Sequence, residues 1–295
     1  MRISNGMQNF NRYFENKIFI DAFGFAEFNS FENSVYIYEI GDYKNSLQEL
    51  SIDANDIQLI NYLLRKVQVF LNCLWLVKDN SITCEIGFMQ VYDRHPALGT
   101  ITSNGISNLP STSDGYFKET TFTATELDLA ITYFKEFEFD KKSAISDVSA
   151  HLENPLSKGS KRIDRAFYFL ANARNSAALP LKAINYCTLL ECLFTNDSGE
   201  ITHKVSERFS IFVGKNFEER KELFKLAKDL YKIRSKAIHG QPVGASPDQM
   251  RILLNKLDTR VRDIFKLTIE DDEKCAVFKM NNEDFDNWFL DLILK

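Results

Sequence analysis

The chain has 295 residues with a formal charge of −5, and 44% of its residues are hydrophobic against 26% charged. That length holds two domains, each able to bury a core, and the acidic balance argues against a protein that coats nucleic acid by bulk electrostatics while leaving room for a local basic site. Five cysteines (Cys73, Cys84, Cys187, Cys192 and Cys275) with no CxxC pair argue against a disulfide framework or a cysteine-held zinc. Met1 to Lys17 lacks the apolar segment of a signal peptide, and the most apolar run, Val67 to Val77, is too short for a bilayer span and is broken by Gln68 and Asn72. These features predict a protein with no membrane association and a cytoplasmic location.

In chain order, Lys17 to Phe28 and Ser34 to Ile40 are aromatic and β-branched, which predicts two strands, with a turn at Asn29 to Asn33 between them. Asn55 or Asp56 is placed to cap a helix running to Val77, since Ile57, Ile60, Leu64, Val67 and Leu71 recur at helical spacing. Ser81 to Tyr92 reads as a strand, the Ser-, Asn-, Gly- and Pro-rich stretch His95 to Gly115 as a loop, and Tyr116 to Thr123 as a further strand. A helix is expected from Thr125, where an acid follows three residues after the threonine. No Gly-rich phosphate loop, nucleophile elbow or paired metal ligands occur in this half, and His95 and His151 read as loop residues. The polar stretch from Asp140 to Gly159 predicts the domain boundary. The expected organisation is α+β: an N-terminal mixed α/β domain over 1–142, a linker over 143–159, and an all-α domain over 160–295.

The second half is helical in pattern almost throughout. Its first helix, within Ser160 to Ala178, carries Lys161, Arg162 and Arg165, with Lys158 just before, on one face at three- and four-residue spacing. A solvated basic face is the plainer account of these residues; phosphate contacts that position RNA are the functional one. Pro180 suits the first turn of a helix reaching Phe194. On it Glu191 shares a stripe with Ile184, Cys187 and Phe194, and a carboxylate among apolar neighbours needs a partner. A short helix then carries His203 and Glu207, spaced for a surface ion pair.

The next helix ends in Tyr231-Lys232-Ile233-Arg234-Ser235-Lys236-Ala237-Ile238-His239-Gly240. Arg234 falls on the apolar side of this helix and has no acid at three or four residues' distance, so its permanent charge requires a partner from elsewhere or a ligand anion. Glu191, equally lacking a local partner, is the expected one. Gly240 predicts the helix stop and would leave His239 at the frayed end, where an imidazole either caps the last carbonyls or serves chemistry. Beyond a Pro- and Gly-containing loop, a helix is expected from Pro247 to Phe265, and an amphipathic helix from Asn282 to Leu294. The acidic polar face of the latter suits docking to protein better than to a membrane.

An all-helical domain with Leu-Leu-Glu-Cys-Leu-Phe (189–194) on its second helix, followed by the 231–240 segment, resembles the HEPN superfamily, in particular its Apea-like branch linked to phage defence. The resemblance covers about residues 160–267. It implies a four-helix up-and-down bundle with extra helices, a homodimer through that domain, and two Arg-x4-6-His motifs facing each other in a composite cleft. Arg234 and His239 match the motif positions. Many members are metal-independent endoribonucleases, others are inactive scaffolds or bind nucleotides; many active ones place Asn, Asp or His after the arginine, where this chain has Ser235.

The implied chemistry is attack by the ribose 2′-OH on its own phosphate, leaving a cyclic phosphate and a 5′-OH end with no cofactor or metal. Arg234 and His239 would be catalytic, with Glu191, Ser235 and Lys236 supporting them, and Lys158, Lys161, Arg162 and Arg165 would contact RNA. A neutralising or activating protein, or a phage component, is the further partner expected of a toxin-type or antiviral ribonuclease. A silent module binding RNA, nucleotide or protein is the alternative, and a structural dimerisation domain is a third.

Overall fold

The computed structural model describes residues 2–5, 20–21, 24, 34–51, 53–91, 100–136, 156, 159–197 and 199–294. Helices dominate these residues, and two small antiparallel sheets complete an α+β protein. The chain forms two compact units: residues 1–69, 84–107 and 139–152 make the first, and 70–83, 108–138 and 153–295 the second. Where the sequence suggests a single cut at 143–159, the chain therefore passes between the units several times. Among the described residues no helix is long and apolar enough to cross a membrane.

In the first unit, β1 (Arg2–Asn5) pairs antiparallel with β2 (Val35–Tyr38), Arg2 opposite Tyr38. Helix α1 (Tyr43–Leu50) follows, capped by Asp42, whose carboxylate accepts from the Asn45 amide at 2.9 Å. The sequence reading missed this helix, whose apolar content is low. Helix α2 (Asp56–Val77) starts where expected. Asn55 accepts from the Gln58 amide at 3.0 Å and Gln58 accepts from the Asn55 amide at 2.9 Å, a reciprocal cap that fixes the first turn. Strands β3 (Ile86–Val91) and β4 (Thr100–Gly105) form the second hairpin, Val91 opposite Thr100. Thr102 donates to Asp56 at 3.1 Å, and Asn104 donates to Asn61, which seats β4 on the first turns of α2.

Three stretches differ from their sequence patterns. Residues 100–105, within the stretch read as loop, form β4: their Ser, Asn and Gly content masked the β-branched Thr100, Ile101 and Thr102. Residues 116–123 form no strand. Ser81 serves their backbone instead, donating to the Lys118 carbonyl at 3.0 Å and accepting from the Lys118 amide at 2.8 Å. The turn at Asn29 to Asn33, most of the Lys17 to Phe28 stretch, His95, and the linker up to Pro155 lie outside the described residues; Ile20 and Asp21 are helical rather than extended.

The second unit is a helical assembly around α5. Its helices are α3 (Ala124–Glu136), α4 (Arg162–Arg174), α5 (Leu179–Phe194), α6 (Ile201–Val213), α7 (Phe217–Ile238), α8 (Pro247–Glu270), the short α9 (Asp272–Val277) and α10 (Asn282–Leu294). The expected helix starts hold, with small shifts. The cap of α3 is Thr123, which accepts from the Glu126 amide at 3.2 Å while Glu126 accepts from the Thr123 amide at 2.8 Å, two residues earlier than Thr125. Pro180 stands in the first turn of α5, and Ser246 with Gln249 boxes the start of α8. Helix α5 packs on α4, α6, α7 and α8 and buries Ala183, Tyr186, Cys187, Leu189, Leu190, Leu193 and Phe194 completely. The Phe194 ring meets Phe209, Phe212, Phe278 and Phe289 at 5.7–6.2 Å between centroids, and this aromatic cluster docks α10 on α6.

Beside this apolar core lies a buried ionic one. Asp258 of α8 is 1% exposed and accepts from the Trp75 indole at 3.1 Å, from the Tyr186 hydroxyl at 2.6 Å and from Arg262. The guanidinium groups of Arg174 and Arg262 both lie over the Trp75 ring, each 5.7 Å from its centroid. Arg174 donates to Asn72 at 2.9 Å and to the Asn80 carbonyl at 3.2 Å. Lys182, fully buried, donates to the Ala173 carbonyl at 2.8 Å and to the Ser111 carbonyl at 3.4 Å. Ser111 itself donates from its amide to the Arg174 carbonyl at 2.7 Å, and Ser113 donates from amide and hydroxyl to Asp79 at 2.8 and 2.7 Å. The segment 109–116 turns tightly, and Gly115 has φ +82 with the Ala177 carbonyl so near that a Cβ would stand 2.6 Å from it. Burial pushes the Asp258 carboxyl upward, while Arg262, Arg174 and the Tyr186 hydroxyl oppose that rise.

Cutting the Asp258 carboxylate away would leave the Arg262 guanidinium, an indole N–H and a phenol without their shared acceptor in the interior. Asp258→Ala is expected to remove about 3–5 kcal/mol of stability, read from the midpoint shift in urea unfolding. Burial also pushes the Lys182 ammonium down to about 8 from its ordinary 10.5. Between those values the unfolded chain holds a proton that the folded chain has released, so this lysine makes stability rise with pH across that window. Lys182→Met is expected to flatten the rise, measured as the unfolding free energy of both proteins from about pH 7.5 to about pH 9.5.

Candidate functional site

Helix α7 brings the site together. Asn216 caps its start by accepting from the Glu219 amide at 3.0 Å. Leu223, Ala227, Leu230, Tyr231 and Ile233 bury its apolar side. Its end is the predicted glycine stop. The Gln241 amide donates to the Lys236 carbonyl at 2.8 Å, the Gly240 amide to the Ala237 carbonyl at 3.2 Å, and Gly240 adopts φ +64. This double closure leaves His239 as the exposed C-cap residue.

Arg234 and Glu191 meet as expected, with Nη2 to Oε1 at 3.7 Å. Glu191 also accepts from the Tyr231 hydroxyl at 3.1 Å. Burial, reinforced by the Glu191 charge, pushes the Tyr231 phenol upward, so Tyr231 keeps its proton and stays a donor. One carboxylate thus receives a phenol and a guanidinium from successive turns of α7. Arg234 is not fully consumed by this pairing: its side chain is 32% exposed, and its Nε is buried without a hydrogen-bond partner.

The exposed side of Arg234 faces an open cleft of about 630 Å³ lined by Glu191, Lys228, Tyr231, Arg234 and Ser235 on one wall, and by Glu200, Ile201, Thr202 and His203 on the other. The second wall is the start of α6, where Glu200 takes a left-handed conformation at φ 47 and no side chain caps the first amides. A non-glycine residue in that conformation costs about 1–3 kcal/mol, and such residues concentrate at sites where backbone placement matters. The first amides of a helix carry partial positive charge, so the start of α6 and the Arg234 guanidinium both offer donors to an anion, between the carboxylates of Glu191 and Glu200.

Of the residues singled out in the sequence, Arg234, Glu191 and Ser235 come together in this cleft. His239 and Lys236 are exposed and do not line it; Lys236 Nζ lies beside Gly244. His203 stands in the cleft, its Nε2 3.8 Å from Glu207 and its ring edge-on to Phe224 at 5.5 Å. Its ion pair was legible as spacing; its place beside Arg234 was not, because α6 and α7 meet only through tertiary packing. Lys228 and Thr202 were likewise missed, although Lys228 precedes Arg234 by six residues on the same helix, and Tyr231, which opens the 231–240 segment, carried no role there.

The basic face of α4 does not hold together. Arg162 is 7% exposed and turned inward, donating to the Thr195 carbonyl at 2.6 Å and to Asn282 at 2.8 Å over the Phe285 ring. Arg165 is half-buried and donates to the Ser160 carbonyl, Lys161 is exposed, and Lys158 lies outside the described residues. The spacing was right, but the helix presents that arc partly to α10. No group of three or more metal-binding side chains occurs among the described residues. No family model, curated protein or solved structure matches the chain.

Arg162 therefore acts as a clamp between the end of α5 and the start of α10. Arg162→Met is expected to lower stability by about 1–3 kcal/mol, read as a lower midpoint in thermal unfolding.

Proposed function

We propose that the chain is a metal-independent endoribonuclease of the toxin or anti-phage type, resembling the Apea-like HEPN branch, whose helical unit would be that family's four-helix bundle. The observation that carries this reading is the Arg234 guanidinium: it is aimed by Glu191, which Tyr231 holds in turn, retains donors beyond that pairing, and opens into a cleft whose other cation is Lys228 and whose far wall is an uncapped helix start. Such an arrangement suits a phosphodiester, because a guanidinium grips two phosphate oxygens and can stabilise the charge that builds on a crowded phosphorus.

Cleavage by 2′-OH attack requires one group to take the hydroxyl proton and another to give a proton to the departing 5′-oxygen. Histidine is the side chain suited to both near neutrality. His239, exposed at the end of the same helix, is assigned one of these roles, and a homodimer in which two α7 ends approach would bring a second His239 to the Arg234 cleft. Ser235 would donate a hydrogen bond to a phosphate oxygen. Cytoplasmic location, a neutralising or activating partner and a defence role belong to the same proposal.

A second reading has one observation in its favour. Within a single protomer the imidazole that lines the cleft is His203 rather than His239, which suits a module that holds RNA or a nucleotide without cutting it.

Incubation of the chain with cellular RNA in EDTA is expected to yield fragments ending in 2′,3′-cyclic phosphate. His239→Ala should lower the cleavage rate by about 10²–10⁴-fold, Arg234→Ala by a similar factor, and neither should change the sedimentation behaviour of the protein. Intact RNA with the wild-type chain, or cleavage abolished by the chelator, would sink the ribonuclease reading.

A further inference from the structure

Helix α7 carries the cations Arg220, Lys221, Lys225, Lys228, Lys232, Arg234 and Lys236 against the acids Glu218, Glu219, Glu222 and Asp229. Its lysines fall at steps of four, three, four and four residues. At roughly 100° per residue, Lys221, Lys225, Lys228, Lys232 and Lys236 share an arc of about 80° and span about 22 Å along the axis. All five are exposed. Lys228, the middle one, lines the Arg234 cleft, so the row runs past its mouth.

The bland explanations cover only part of this row. Cations in the last turn of a helix are favoured by its dipole, which accounts for Lys236, but Lys221 and Lys225 lie beyond the reach of that end. Surface ion pairing accounts for Lys232, paired with Asp229 at 2.7 Å, yet that side chain is 75% exposed and such a pair is too weak to withhold it from another anion. Lys228 rests over the Phe224 ring at 5.2 Å, which leaves its ammonium accessible to the cleft. Lys221 and Lys225 have no ion-pair partner among the described residues. A row of like charges in a chain of net charge −5 is a local concentration against the overall balance.

We infer that the lysine row of α7 is a track for the sugar–phosphate backbone of single-stranded RNA, leading the strand along the helix and past the edge of the Arg234 cleft at Lys228. The inference rests on the ribonuclease reading for its choice of polyanion. The row is straight and one-sided, which suits one strand. Ammonium groups on flexible stems act as point charges, so the row would supply affinity and register without reading bases. An anionic membrane fits less well, because the apolar side of α7 is buried in the helical unit and unavailable for insertion.

The test measures fluorescence anisotropy of a labelled 2′-O-methyl oligouridine, which cannot undergo 2′-OH attack, at increasing KCl. The variant Lys221→Gln/Lys225→Gln/Lys232→Gln spares every cleft-lining residue. Each lost phosphate contact should flatten the plot of log affinity against log salt by about 0.7, so the triple variant should lose about 2 from the slope. At low salt its affinity should fall at least tenfold. A control triple on exposed lysines elsewhere, Lys44→Gln/Lys256→Gln/Lys279→Gln, should change neither quantity. On cleavable RNA the ridge variant should show a raised KM with kcat retained.

No binding of the oligonucleotide by the wild-type chain, an unchanged slope in the ridge variant, or an equal loss in the control would overturn the track. So would ridge-dependent binding to phosphatidylserine vesicles without binding to the oligonucleotide. Ridge-dependent binding with no cleavage of natural RNA would leave the track standing and remove the ribonuclease reading; cleavage with an unaltered slope would do the reverse.

Discussion

A buried carboxylate fixes the geometry on which the site depends. Asp258 collects hydrogen bonds from α2, α5 and its own helix through Trp75, Tyr186 and Arg262. A charge taken out of water at such cost tolerates few arrangements of its partners, so the rotation of α5 about its own axis is set by where Tyr186 must point. Glu191 lies five residues further along the same rigid helix, and its direction follows from that choice. Glu191 then aims Arg234 and Tyr231. The polar core and the candidate site are two ends of one mechanical chain, with the apolar packing of Leu189, Leu190 and Leu193 supplying most of the stabilisation between them.

Much of the helical unit was legible because its signals are local. The starts near Pro180 and Pro247 follow from a residue that suits a helix's first turn, and the stop at Gly240 follows from a conformation that glycine adopts at little cost. The pairing of Glu191 with Arg234 was also readable, since each is a charged residue on an apolar stripe with no partner on its own helix. The identity of the opposite wall was not. His203, Thr202 and Glu200 reach the cleft because α6 folds back beside α7, and no periodicity within either helix encodes that approach. Arg162 shows the converse failure: a one-face arrangement is a local fact, whereas which face meets α10 is a tertiary one.

In the first unit the balance shifts. The small sheets draw on Ser, Asn and Gly where propensity favours loops, and, in the second unit, residues 116–123 look like a strand but are held by Ser81 instead of by a neighbouring ladder. Strand preference depends on what lies alongside, so a pattern without its partner misleads in both directions.

The clamp formed by Arg162, Arg208 and Asp286 has a temporal consequence. Arg162 holds the Thr195 carbonyl, Asn196 donates to Asp286 at 2.8 Å, and Arg208 bridges the Phe194 carbonyl at 3.2 Å and Asp286 at 2.6 Å. The turn between α5 and α6, which leads into Glu200 and His203, is thus pinned by a helix that is synthesised some ninety residues later. Chains emerging from the ribosome fold from the N-terminus onward. During translation the far wall of the cleft stays unsupported until α10 has left the exit tunnel, so the binding surface is completed only some ninety residues after its own wall has been made.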